Sequence, residues 1–134
     1  MLGVELRFPP TPGHVRTARL VAVAVGRRAH LDENRLDELR LAVGEACARA
    51  VRRCQAANCA AQVVLTVNDV GPGLSVEVAD AAPPRQDDDE PVVLALLRGL
   101  ADAVEVLNGA GGEGGKVRME WWPGPARTTR NHLS

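Results

Sequence analysis

Apolar and polar positions alternate from Leu2 to Phe8, which predicts a strand closed by Pro9, Pro10, Pro12 and Gly13. The spacing then turns helical. Ala18, Val21, Ala22, Val25 and Ala29 recur at three- and four-residue intervals and predict a helix from about His14 to Ala29. A longer helix is predicted from Glu33 to Ala56, with Asp32 as N-cap. Its apolar stripe is Leu36, Leu39, Val43, Ala46, Ala50 and Cys54, with Glu45, Arg49 and Arg52 on a neighbouring face.

Two alternating runs follow, Val63–Val67 and Leu74–Val78. The Asp69-Val70-Gly71-Pro72-Gly73 link between them reads as a hairpin. Residues 81–90 carry no apolar period and read as a loop with an acidic end, Asp87 to Glu90. Those carboxylates precede Pro91, where they suit the start of a third helix carrying Val93, Leu96, Leu97 and Leu100. A strand near Val104–Leu107, a glycine-rich turn and a strand over Lys116–Trp122 complete the pattern. Of the adjacent Trp121 and Trp122, one is expected in the core and one outside, because neighbouring strand residues face opposite ways.

The predicted order is β-α-α-β-β-α-β-β. It implies an α+β two-layer sandwich: a mixed, mostly antiparallel sheet with helices on one face. Residues 1–122 are expected to form one domain, with 123–134 a polar, disordered tail. At 134 residues and 46% apolar content, the chain can bury a core without disulfides.

Composition narrows the function. The net charge of −1 argues against direct nucleic-acid binding, and one Phe with no Tyr leaves little for base stacking. No apolar run is long enough to span a bilayer, and no signal-peptide pattern opens the chain, so a cytoplasmic protein without membrane contact is expected. Cys47 and Cys54 lie two helical turns apart, too far for a disulfide. Together with Cys59 they are expected as reduced, mostly buried thiols. No metal-ligand spacing occurs, and His14, His30 and His132 accompany no nucleophile motif. Gly109 to Gly115 opens a strand rather than a helix, so it reads as a turn and not a phosphate loop.

The segment Leu41-Ala42-Val43-Gly44-Glu45-Ala46-Cys47-Ala48-Arg49-Ala50-Val51 resembles the N-box helix of the bacterial anti-sigma regulatory factors. These form the RsbW- and SpoIIAB-like branch of the histidine-kinase-like ATPases. Val15 to Arg19, with its Ala18-Arg19 pair, is similar to their first helix. Val76 to Asp80 is similar to their strand ending in an adenine-reading Asp, and Gly115 to Met119 to their final strand. The likeness runs in order over about residues 3–122.

The resemblance implies a degenerate nucleotide site at Glu45, Arg49 and Asp80. Glu45 matches the base that deprotonates a serine on an antagonist protein, and would be catalytic only in an active kinase. Arg49 stands where the family has its magnesium-binding Asn, and Arg cannot ligate a metal. Ala82 and Pro84 replace two glycines after Asp80, and the phosphate-covering segment is reduced to Arg98-Gly99-Leu100. No cofactor is therefore expected; ATP with magnesium belongs to the active-kinase alternative. Taken as residues alone, Glu45 with Arg49 also reads as a solvated helix pair, and Asp80 as an ordinary strand end.

The implied function is a partner switch. The chain would bind a sigma factor, a STAS-domain anti-anti-sigma factor, or both, through Arg16 and Arg19 on the first helix. The alternatives are an active protein serine kinase and a non-catalytic dimer partner of an active paralogue. Family members often pair through sheet edges, which implies a homodimer.

Overall fold

The computed structural model describes residues 2–84, 91–108 and 114–122. The acidic stretch 87–90, most of the glycine-rich turn and the tail from 123 lie outside the described residues.

The elements are β1 (Leu2–Phe8), a 3-10 turn (Pro12–His14), α1 (Val15–Arg28), α2 (Glu33–Ala56), β2 (Val63–Asp69), β3 (Leu74–Asp80), α3 (Pro91–Leu100), β4 (Ala103–Asn108) and β5 (Gly115–Trp121). They form a five-stranded sheet in the order β1-β2-β3-β5-β4. The expected mostly antiparallel sheet is antiparallel at all four pairings among the described strands. From β3 the chain crosses through α3 to the far edge and returns as β5. The returning strand therefore lies between β3 and β4.

The two sheet faces differ in chemistry. Val63, Leu65, Val67, Val76, Val78, Val117, Met119 and Trp121 are buried under the helices. On the opposite face one cross-strand row runs Glu5, Thr66, Glu77, Arg118, Glu105. A row of polar and charged side chains suits a solvated surface. Arg7–Glu5 at 2.7 Å and Lys116–Glu77 at 3.3 Å pair on that face.

Helix ends follow local chemistry. The Asp32 carboxylate accepts from Arg35 N–H at 2.8 Å, as an N-cap should. Both α1 and α2 stop at a left-handed residue, His30 (φ 64°) and Asn58 (φ 53°). The next amides bond back: Leu31 N to Gly26 O at 3.1 Å, and Cys59 N to Cys54 O at 2.8 Å. This closure satisfies the last carbonyls of each helix.

The predicted stripes of α1 and α2 are buried or half-buried throughout. Helix α3 differs: Leu97 is buried, but Leu96 is exposed. Ten residues give α3 only about three turns. It meets α2 and β4 along one narrow side. Trp121 is buried, its Nε1 donating to Leu100 O at 3.1 Å, while Trp122 is 50% exposed. No helix among the described residues is long and apolar enough to cross a membrane.

Candidate functional site

Helix α2 presents two distinct places where charged side chains meet. The first is a cleft between α1 and α2 of about 530 Å³, lined by Arg16, Arg19, Arg40, Leu41, Gly44 and Glu45 among others. It unites three of the five residues singled out from the sequence.

Arg16 is exposed, whereas Arg19 is half-buried. Its side chain lies across α2 at Gly44. A Cβ there would stand 3.1 Å from Arg19 Nη1 and 3.2 Å from its Cδ. The missing side chain at position 44 is what gives the arginine its bed. The physical reason is helix packing: Arg19 follows buried Ala18 and borders the α1–α2 contact, so its stem runs along the neighbouring helix. Burial pushes the Cys47 thiol up to about 12, with the nearby Arg19 guanidinium pulling the other way.

Glu45 is half-buried in this cleft and makes no ion pair among the described residues. A solvated Glu45–Arg49 pair, one of the two readings of these residues, does not fit the burial of Arg49. Arg49 is only 4% exposed and faces inward, while Arg52 stays exposed. Positions 45 and 49 lie only about 40° apart around the helix, so the difference comes from what packs over each turn: Glu45 opens on the cleft beside α1, while Arg49 is covered.

The second place is the buried end of β3. Arg53 Nε donates to Asp80 Oδ2 at 3.0 Å, with side-chain exposures of 6% and 2%. Arg53 Nη2 donates to Ala82 O at 2.9 Å, and Ala82 N donates to Asp80 Oδ1 at 3.0 Å. Both oxygens of Asp80 are thus engaged internally. Burial, then the charge of Asp80, pushes the adjacent Cys54 thiol up to about 11. All three cysteines are free thiols; Cys47 and Cys54 are buried and Cys59 is half-buried.

Glu45 and Asp80 thus serve different places. Arg53 lies eight residues beyond Glu45, roughly 12 Å along the helix axis. Arg53 was not singled out from the sequence, yet a signal existed. It falls at the i+3 step from Ala50 inside the apolar stripe, where a charge requires a buried partner. Arg35 is a similar case, buried against Asp102 at 2.5 Å. Among the described residues, no group of three or more His, Cys, Asp or Glu is placed to hold a metal ion.

Residues 8–121 match the histidine kinase-like ATPase domain, which is most of the chain. The chain belongs to that family. As a histidine kinase-like ATPase domain it is also similar in structure to the RsbU and RsbW domains of Rv1364c from Mycobacterium tuberculosis. The TM-score is 0.72 at 18% identity, over 95% of this chain and 34% of that one. This chain spans about a third of that protein's length, and at such identity the likeness is one of fold. None of the curated proteins matches it.

Proposed function

We propose that this histidine kinase-like ATPase domain is a partner-switch regulator that binds protein partners without using a nucleotide. The partner classes are a sigma factor and a STAS-domain anti-anti-sigma factor, competing for the cleft at Arg16 and Arg19. The setting is the bacterial cytoplasm, and the acting form is a homodimer joined at sheet edges.

One observation carries the nucleotide-free part: the Asp80 carboxylate, the group that would read adenine, is already held by Arg53 and by Ala82 N–H. Two further features point the same way. A buried guanidinium at position 49 repels a magnesium ion by direct Coulomb interaction. Ala82 is buried and Pro84 has no N–H, so neither offers the backbone access that glycine gives a phosphate.

Arginines at a groove rim suit the protein-binding part. Guanidinium groups pair bidentately with carboxylates and are enriched among interface residues that dominate affinity. Two rival proteins that each offer a carboxylate to Arg19 would exclude one another.

The test is a pull-down from the native host followed by mass spectrometry. Retention of a sigma factor or a STAS-domain protein supports the reading, and loss of that retention with Arg19→Ala ties it to the cleft. Retention of neither class overturns it.

A further inference from the structure

The surroundings of Arg53 have the form of a small binding site. The guanidinium is a planar N–C–N donor with a positive charge. Its Nε meets the Asp80 carboxylate at 3.0 Å, and its Nη2 meets the Ala82 carbonyl at 2.9 Å. These acceptors lie along one edge of the plane.

Position 115 supplies the floor. Gly115 is opposite Asp80 in the β3–β5 register. A Cβ at 115 would stand 2.9 Å from Arg53 Nη2, 3.3 Å from Cζ and 3.5 Å from Nε. Three guanidinium atoms thus crowd the place a side chain would take. The slot is built from α2, β3 and β5 together, and the Arg53 and Asp80 side chains in it are 6% and 2% exposed.

We infer that this slot is a binding site for a planar amidine or guanidine cation, and that Arg53 is its built-in occupant. A charged acceptor beside a neutral one selects a planar cation with parallel N–H groups over a tetrahedral ammonium. Truncating Arg53 then leaves a buried carboxylate without its counter-charge, and a free cation of the right shape can replace it. This deepens the proposed function by naming what fills the Asp80 site. It does not depend on which protein partners bind.

The experiment compares thermal unfolding of the Arg53→Ala variant with methylguanidinium chloride and with methylammonium chloride at equal concentration. For a dissociation constant near ~1 mM, ~10 mM methylguanidinium raises the midpoint of the variant by about 5 °C. The expected result is that rise with methylguanidinium alone, no such rise in the wild-type chain, and none in Arg53→Ala/Asp80→Asn. Equal effects of the two salts, or no effect of either, overturn the inference.

Should Arg53→Ala not fold, the wild-type chain supplies the measurement. A locked Arg53 gives a solvent-protected Nε–H signal and separately resolved Nη–H signals in nitrogen-15 NMR. Rapid exchange and averaged Nη signals would mean that the slot does not hold the guanidinium. Rescue with no retained sigma factor or STAS protein leaves the slot standing and removes only the partner-switch reading; the reverse outcome removes only the slot.

Discussion

Arg35 on α2 and Asp102 beyond α3 meet at 2.5 Å in the interior, although 67 residues separate them. The same Arg35 nitrogen donates to Trp122 O, and Asp102 Oδ2 accepts from Trp122 N at 2.7 Å. The start of α2, the turn after α3 and the end of β5 are thereby fastened at one point. Removing one partner of such a pair leaves an uncompensated buried charge. Asp102→Ala should therefore cost about 3 kcal/mol or more, seen as a midpoint lowered by roughly 10 °C in thermal unfolding. A change within a degree or two would mean that the pair contributes nothing net.

The second expectation concerns nucleotide. With Asp80 held by Arg53, titration calorimetry should detect no magnesium-ATP binding at tens of micromolar. Arg49→Asn alone should not restore it, since Arg53, Ala82 and Pro84 remain. A tight, magnesium-dependent isotherm for the wild-type chain would instead support an active serine kinase with Glu45 as base.

Arg19→Ala should weaken binding of a retained protein partner by roughly 2 kcal/mol, the size expected of an interface anchor. Gly44→Val gives an independent check. Its side chain would enter the space held by Arg19 Nη1 and Cδ, and so displace the guanidinium without deleting it. Helix propensity favours valine over glycine, which offsets part of the packing cost at this buried position, so the fold should persist while affinity falls about tenfold. Unchanged affinity in both variants, measured by surface plasmon resonance, would move the partner surface away from this cleft.

The buried thiols predict alkaline sensitivity. Burial raises Cys47 from an ordinary 9.0 to about 12 and Cys54 to about 11. A raised folded pKa means that the stabilising effect is complete below about pH 9 and is lost as pH climbs through the folded values. The midpoint of thermal unfolding should fall between about pH 9 and pH 12, and Cys47→Ala should flatten part of that fall. An identical slope in the variant would show that other groups set the alkaline limit.

Much of the framework was legible in the sequence. The bounds of β1 and α2, and the Asp32 cap, follow from period and capping chemistry, which act over a few residues. Trp121 inside and Trp122 outside follow from strand alternation. Leu96 did not follow: it fits the α3 stripe, but how much of a short helix is covered depends on what lies across from it.

The candidate site divides in the same way. The sequence alone determined that arginines stand near Glu45 on α2 and near Ala18 on α1, and that Asp80 ends a strand. It did not determine which arginine meets which carboxylate. Arg49 and Arg53 are one turn apart, and only the packing of α2 over β3 and β5 decided that Arg53 reaches Asp80. Likewise, the approach of α1 to Gly44 decided that Arg19 lies along the cleft instead of pointing into solvent. Local propensity and period are encoded by neighbours in the chain. The partner of a buried charge is set by residues far apart in sequence, because a low-dielectric interior penalises an unpaired charge and only the folded arrangement brings the opposite one within reach.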